Sequence, residues 1–242
     1  RRFGYRGLLE TDHLVHLDRD AVRGITHLGG TILGTTNRGD PFNYPVKTKN
    51  STTLEDLSGQ VVETFHKYGF EAFIVIGGDG SLRIAQRFVD LGLPIVAVPK
   101  TIDNDIYLVS RSFGFDTAVE VATRAIISAH NEAEGYPNGI GLLKLMGRYS
   151  GFIAATAALA QQDVNFVLIP EVDFDLSGPN GLLNALRQRL ADRGHAVIVV
   201  AEGAGQKFFE REKTERDASG NIKLKDIGIY LKEKIISYFN TK

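Results

Sequence analysis

The chain has 242 residues, of which 43% are hydrophobic and 24% charged, and its 28 basic and 29 acidic side chains give a formal net charge of −1. The apolar fraction is sufficient for a hydrophobic core, and the balanced charge argues against a dedicated nucleic-acid-binding protein. The absence of cysteine excludes thiol chemistry, and no apolar run approaches the roughly 20 residues of a membrane span, so we expect a cytoplasmic protein without membrane partners.

Short apolar runs rich in β-branched residues alternate with stretches whose apolar residues recur three and four apart, and this alternation predicts an α/β fold with mostly parallel sheets. The predicted strands cover residues 72–76, 94–98, 141–145, 166–169 and 196–200. The predicted helices cover residues 81–90, 116–134, 151–160, 182–193 and 226–239. Residues 207–225 are charged and poor in apolar side chains, which predicts a loop. We place a domain boundary at the helix that starts near Phe115.

In open α/β sheets ligands bind at the carboxyl ends of the strands, and four of the five predicted strands end in polar or glycine-rich sequence. The first of these ends is Gly77–Ser81, which enters a helix. Its glycines allow backbone amides to approach phosphate, and the helix N-terminus adds positive potential, so we predict phosphate binding with Asp79 near a magnesium ion. The alternative interpretation is a glycine turn in which Asp79 or Ser81 caps the helix.

The second strand end, Pro99–Asp105, contains one lysine, one hydroxyl and two carboxylates. This set offers a base, a cation and a metal or sugar ligand for phosphoryl transfer, although an Asp/Asn-rich turn is the alternative. The third end contains Gly147, which leaves its backbone amide open, and Arg148, which either pairs with phosphate or forms a surface ion pair. After the fifth strand, Glu202 either accepts sugar hydroxyls or caps the next segment.

Together these motifs closely resemble 6-phosphofructokinases in order and spacing, from Tyr5 to the last predicted helix. The motifs are Gly77–Ser81, Pro99–Asp105, Met146–Gly151, Pro170–Glu171 and Ala201–Gly203. The first is shared with NAD kinases and diacylglycerol kinases, but the second and third are not, which disfavours an NAD kinase. The resemblance implies the phosphofructokinase fold, with two Rossmann-like three-layer lobes. A nucleotide-binding lobe would cover residues 1–114 and a fructose 6-phosphate-binding lobe residues 115–242.

The only methionine is Met146, so we expect a chain that lacks the N- and C-terminal segments of this fold. The family's first strand would precede Arg1, and residues that grip the sugar phosphate would follow Lys242.

The resemblance further implies a glycolytic enzyme that transfers the γ-phosphoryl group of ATP to the 1-hydroxyl of fructose 6-phosphate, giving fructose 1,6-bisphosphate. Asp103 would be the base, with Asp105 beside it. Thr101 and Arg148 would stabilise the transferring group, and all four residues would contact substrate. The expected remaining sugar ligands are Met146, Gly147 and Glu202. The expected nucleotide and magnesium ligands are Tyr5, Arg38, Gly78, Asp79, Gly80 and Ser81, with Asp79 serving Mg²⁺.

The phosphoryl donor is predicted from two positions. Gly80 favours ATP because glycine leaves room for the α-phosphate, whereas pyrophosphate-dependent enzymes resemble one another in placing aspartate there. Lys100 is ambiguous, since lysine occurs in both groups, and ATP is the favoured prediction. The alternatives are a pyrophosphate-dependent enzyme and a catalytically weak homologue that binds sugar phosphate. The family's dimers and tetramers predict a homo-oligomer, but Gly139 stands where bacterial tetrameric enzymes carry an arginine.

Overall fold

The computed structural model describes residues 3–10, 14–36, 39–48, 51–209 and 222–240. The chain divides into two compact units. The first contains the described residues up to Val75 together with Gly80–Val98, and the second contains Ile76–Asp79 and the described residues from Pro99 onward. This division places residues 99–114 in the second unit, although the predicted boundary lay at Gly114. The assignment of residues 1–114 to nucleotide and 115–242 to sugar phosphate stays a prediction.

The first unit combines helices with a short antiparallel hairpin. Its elements are helix α1 (Arg6–Leu9), strands β1 (Tyr44–Lys47) and β2 (Thr52–Glu55), helix α2 (Ser58–Lys67) and most of helix α3 (Asp79–Asp90). The hairpin pairs Tyr44 with Glu55 and Lys47 with Thr52. Val61 and Phe88 are fully buried in the core of this unit, where Leu8, Phe42, Phe65 and Leu93 surround them.

A three-stranded sheet has the strand order β3 (Phe73–Gly77), β4 (Ile95–Thr101) and β5 (Phe113–Gly114). Strands β4 and β5 are parallel, with Lys100 opposite Phe113 and Thr101 opposite Gly114. Strand β4 therefore ends at Thr101, directly before the Asp103 loop.

The second unit contains a three-layer α/β/α sandwich. Its parallel sheet has the order β6 (Gly139–Leu145), β8 (His195–Ala201) and β7 (Phe166–Leu168). The helices are α4 (Phe115–Glu134), α5 (Phe152–Ala160), α6 (Leu182–Arg193) and α7 (Ile227–Asn240).

The central strand β8 shows why the layers form. Alternate residues of a strand point to opposite faces. Val197, Val199 and Ala201 pack with core residues of α4 and α5. Ala196, Ile198 and Val200 pack with core residues of α6 and α7. A strand covered on both faces reads as a continuous apolar run, as residues 196–200 do in the sequence.

The predicted α/β class is confirmed, and each of the five predicted strands and five predicted helices corresponds to an observed element whose bounds differ by three residues or fewer. The sequence analysis did not identify α1, the β1–β2 hairpin, α2 or β5. Of the predicted loop 207–225, residues 210–221 lie outside the described residues, and Gln206–Phe209 form a short 3₁₀ helix. Among the described helices, none is both long and apolar enough to cross a bilayer.

Candidate active site

The Gly77–Ser81 segment turns directly from strand β3 into helix α3, which starts at Asp79. A Cβ added to Gly78 would lie 3.6 Å from the Thr101 Cβ, an ordinary contact, and a Cβ on Gly80 would meet no described atom within 4 Å. Packing among the described residues therefore does not require glycine at either position. Asp79 is exposed in the first turn of α3, where a negative side chain is stabilised by the helix dipole.

Two residues predicted to lie along the nucleotide belong to the first unit and contact each other. The Tyr5 hydroxyl donates a hydrogen bond to the Ser81 carbonyl oxygen at 2.9 Å. The pKa of Tyr5 is raised far above its usual value, first by burial and second by Asp40. The Tyr5 phenol therefore stays neutral and anchors the first turn of α3. Arg38, which is also predicted to lie along the nucleotide, is outside the described residues.

The main chain of Asp103 is held on both sides by hydroxyl groups. The Asp103 N–H donates to Thr101 Oγ1 at 3.2 Å, and the Asp103 carbonyl oxygen accepts a hydrogen bond from Ser150 Oγ at 3.0 Å. These bonds fix the backbone from which the Asp103 carboxylate projects. They also leave the Thr101 hydroxyl proton available for another acceptor, since a hydroxyl both accepts and donates.

Asn104, which lies between the two aspartates, closes the loop through its side chain. Its φ angle is 55°, the left-handed region that asparagine tolerates better than most residues. Its Oδ1 accepts the Ser112 N–H at 2.7 Å, and its Nδ2 donates to the Ser110 carbonyl oxygen at 3.2 Å. The buried Ser112 hydroxyl, only 3% exposed as a residue, donates to the Thr101 carbonyl oxygen at 2.8 Å.

These contacts bear on the two interpretations of the Asp-Asn-Asp sequence. The local hydrogen bonds of the turn are made by Asn104, Thr101 and the serines. Within the described part of the chain, neither the Asp103 nor the Asp105 carboxylate accepts a hydrogen bond. The turn therefore does not account for the two carboxylates, and both are available for chemistry.

The loop that contains Arg148 is folded tightly against the end of strand β8. Glu202 N–H donates to the Leu145 carbonyl oxygen at 2.9 Å, and Gly203 N–H donates to the Gly147 carbonyl oxygen at 3.0 Å. Gly147 has a φ of 135°, and a Cβ there would collide with the Ser150 carbonyl oxygen. This glycine is therefore required by the backbone itself, in contrast to Gly78 and Gly80. Met146, predicted to hold the sugar, precedes it with 59% of its surface exposed.

The charged groups around Asp103 come from three loops of the second unit. Burial is the main cause that raises the Asp103 pKa, and the negative charges of Asp105 and Glu202 raise it further, while Arg148 lowers it. The structure thus places Asp105, Glu202 and Arg148 within electrostatic range of Asp103. Two carboxylates and a guanidinium near a half-buried carboxylate form an environment suited to accepting a proton and neutralising a phosphoryl group.

Helix α5 begins directly after the Arg148 loop and is capped by Glu171, which lies three residues beyond the end of strand β7. The Glu171 Oε1 atom accepts the Gly151 N–H at 2.7 Å, in place of a cap from the helix's own chain end. A Cβ on Gly151 would collide with Ile169, so glycine is needed for this close approach.

We expect Glu171→Ala to lower the free energy of unfolding by about 1–2 kcal/mol, since it removes a charge-assisted cap at a helix N-terminus. Thermal denaturation of the full-length protein measures this, with a fall of about 2–4 °C in melting temperature per kcal/mol for a domain of this size. Glu171→Gln keeps an acceptor oxygen and should recover much of the loss. Equal melting temperatures of wild type and Glu171→Ala would contradict the cap.

Gly139, where bacterial tetrameric relatives were expected to carry arginine, starts strand β6 close to the end of helix α4. A Cβ on Gly139 would collide with the Ala133 carbonyl oxygen. No side chain fits this backbone, so the departure from the family pattern is built into the local packing.

Sequence reasoning identified the loops but missed the polar residues that brace them. Asn104 and Ser150 lie inside recognised motifs, and only their neighbours were given roles. No sequence pattern predicts the role of Ser112, because a serine after a charged turn is common. Only the structure reveals that Ser112 and Ser150 are 3% and 4% exposed.

Comparison with known proteins agrees with these motifs. The phosphofructokinase family model matches residues 1–239. An ATP-dependent 6-phosphofructokinase of Borreliella burgdorferi is 45% identical over 100% of this chain and 54% of its own length. ATP-dependent 6-phosphofructokinase 1 of Arabidopsis thaliana is 45% identical over 99% of this chain and 49% of its own length. The chain therefore spans about half the length of the curated relatives it matches.

Solved structures show the same fold. Pichia pastoris phosphofructokinase in the T-state superposes with a TM-score of 0.71 at 22% identity, over 98% of this chain and 24% of that one. A pyrophosphate-dependent phosphofructokinase of Marinobacter aquaeolei gives a TM-score of 0.68 at 23% identity, over 99% of this chain and 56% of that one. The fold defines a member of the α/β proteins with mostly parallel sheets. The chain belongs to the phosphofructokinase family, as its motifs predicted.

Proposed function

We propose that this chain is part of an ATP-dependent 6-phosphofructokinase, which transfers the γ-phosphoryl group of ATP to the 1-hydroxyl of fructose 6-phosphate in glycolysis. One observation carries the proposal. Asp103 is a half-buried carboxylate with its main chain fixed on both sides and with a raised pKa, in electrostatic range of Arg148. The names of the relatives at 45% identity support ATP as the donor.

In the proposed reaction the Asp103 carboxylate accepts the proton of the sugar 1-hydroxyl. That oxygen forms the new bond to the γ-phosphorus, the bond from the γ-phosphorus to its bridging oxygen breaks, and ADP leaves. A raised pKa makes Asp103 a better proton acceptor than an ordinary aspartate. Arg148 and the Thr101 hydroxyl donate hydrogen bonds to the oxygens of the transferring group. Asp105, Met146, Gly147 and Glu202 hold the sugar.

The nucleotide would lie along Gly78, Gly80, Ser81, Tyr5 and Arg38, with Mg²⁺ served by Asp79. Mg²⁺ is usually bound by one or two carboxylates together with substrate phosphates. The described residues contain no cluster of three or more histidine or acidic side chains able to hold a metal by themselves. The exposed Asp79 carboxylate at the start of α3 fits binding of Mg²⁺ by a single carboxylate together with substrate phosphates. Magnesium would neutralise charge on the phosphate oxygens.

Pyrophosphate as the donor is the second candidate, since a lysine at the position of Lys100 occurs in pyrophosphate-dependent enzymes as well as in ATP-dependent ones. Lys100 is exposed on strand β4, directly before Thr101. Gly80 favours ATP, so this candidate ranks second. The homo-oligomer, a dimer or tetramer, and the cytoplasmic location stay predictions.

The deciding experiment is a coupled assay for fructose 1,6-bisphosphate with full-length protein, Mg²⁺ and fructose 6-phosphate, supplied with ATP or with pyrophosphate. Turnover with ATP alone is the expected result. Turnover with pyrophosphate alone would overturn the donor assignment. No turnover with either would favour a homologue that binds sugar phosphate without catalysis.

A further inference from the structure

Ser150 links two loops that the proposed mechanism requires to act together. It lies two residues after Arg148, between strand β6 and helix α5, and as a residue it is 4% exposed. Its hydroxyl donates to the carbonyl oxygen of Asp103, 47 residues away in sequence, at 3.0 Å. Asp103 follows strand β4 of one sheet, and Arg148 follows strand β6 of the other. The bond therefore joins the loop of the base to the loop of the arginine.

The backbone around Ser150 is fixed on both sides. On the N-terminal side, the Gly147 carbonyl oxygen is held by the Gly203 N–H at 3.0 Å. A Cβ on Gly203 would collide with the Arg148 carbonyl oxygen, so β8 and this loop are in close contact. On the C-terminal side, the Gly151 N–H is held by Glu171 at 2.7 Å. With both flanks held, the Ser150 backbone is restrained in a position from which its hydroxyl contacts the Asp103 carbonyl oxygen.

The receiving group is equally constrained. The Asp103 N–H is bound to Thr101 Oγ1, so the Ser150 bond completes the main-chain hydrogen bonding of Asp103. Loss of the Ser150 donor would leave the Asp103 carbonyl oxygen without this partner. The peptide that follows Asp103 would then lose one of its restraints, and a small rotation of this peptide would shift the carboxylate relative to Arg148.

We infer that Ser150 is a positioning residue for phosphoryl transfer, which sets the distance between the Asp103 base and the Arg148 guanidinium through the Asp103 carbonyl oxygen. This inference rests on the proposed function. Ser150 does not touch the reacting atoms in this role. Its effect belongs to the chemical step, because a displacement of about 1 Å in a catalytic group can reduce rate about 10²-fold.

Ser150→Ala in the full-length protein tests the inference. We expect kcat for fructose 1,6-bisphosphate formation to fall about tenfold or more, with the KM for fructose 6-phosphate changed less than about twofold. Ser150→Cys keeps a side chain of similar size with a weak hydrogen-bond donor, so its kcat should lie between those of the wild type and of Ser150→Ala. The matched control is Ser128→Ala, because Ser128 also donates to a carbonyl oxygen, that of Arg124 at 3.1 Å, but on the exposed surface of α4.

A second background separates positioning from a general structural role. In the Asp103→Asn protein the base is absent, so adding Ser150→Ala should reduce kcat by less than about twofold more. An equal fold-loss in both backgrounds, or an unchanged kcat of Ser150→Ala in an active wild type, would overturn the inference and leave the proposed function intact. A wild type without turnover would overturn the proposed function, and the inference with it.

Discussion

Asp103→Asn is expected to reduce turnover about 10²- to 10⁴-fold and, at the same time, to raise the melting temperature. The loss of rate follows because an amide cannot accept the proton of the sugar 1-hydroxyl. The gain in stability follows because the ionised carboxylate is disfavoured by burial and by the charges of Asp105 and Glu202. Steady-state kinetics and thermal denaturation of the same preparation measure both effects.

The sign of the stability change is fixed by the pKa. The folded-state pKa of Asp103 is raised above its unfolded value, so the folded protein binds this proton more tightly. The associated stability is present at low pH and is lost as pH rises through the folded-state pKa. At neutral pH the neutral asparagine avoids this loss.

The pH profile offers an independent measurement of the same residue. The acid limb of kcat/KM should fall at a higher pH than an ordinary aspartate, with its pKa of about 3.9, would give. Asp116→Asn is the matched control, since Asp116 is an exposed acid of the same unit that lies 3.6 Å from Arg111. It should leave kcat and the acid limb unchanged. Full turnover by Asp103→Asn would remove Asp103 as the base.

The elements that could be predicted from the sequence are those whose burial imposes a clear pattern of apolar residues. Strand β8 is covered on both faces, so its residues form an uninterrupted apolar run that stands out in the sequence. Strand β2 was missed because all four of its residues are exposed and no face is selected for apolar side chains. Helix α2 was missed although Val61 and Phe65, four residues apart, are buried on one face. That signal was present and was not used.

For the candidate site, the motifs single out the loops that are proposed to carry chemistry, but not the contacts that hold these loops. Asp103 and Arg148 were recognised from their motifs. The hydrogen bond from Ser150 to Asp103 joins residues that are 47 positions apart in the sequence. The bond from Ser112 to Thr101 joins residues that are 11 positions apart. Such contacts depend on the register of strands in two sheets, which local pattern does not encode. Glycines also differ in ways that composition hides, since Gly147 is required by the backbone whereas Gly80 is not.

Gly80→Asp is expected to reduce kcat/KM for ATP about 10²-fold or more, because a carboxylate placed beside the α-phosphate adds a like-charge repulsion of several kcal/mol. The fold should tolerate the change. No described atom lies within 4 Å of the added Cβ, and an acidic residue in the first turn of α3 is favoured by the helix dipole. The melting temperature should therefore hold or rise slightly while turnover with ATP falls.

The matched control is Gly80→Ala, which adds the same Cβ without a charge. If repulsion is the cause, the kcat/KM of the alanine variant for ATP should fall less than about tenfold, because alanine adds no negative charge that repels the α-phosphate. Pyrophosphate lacks an α-phosphate with a nucleoside attached, so any turnover with pyrophosphate should be affected less by aspartate than turnover with ATP. Equal losses in the alanine and aspartate variants would mean that space, not charge, determines donor choice at this position. Unchanged use of ATP by Gly80→Asp would remove Gly80 from the nucleotide site and from the prediction of the donor.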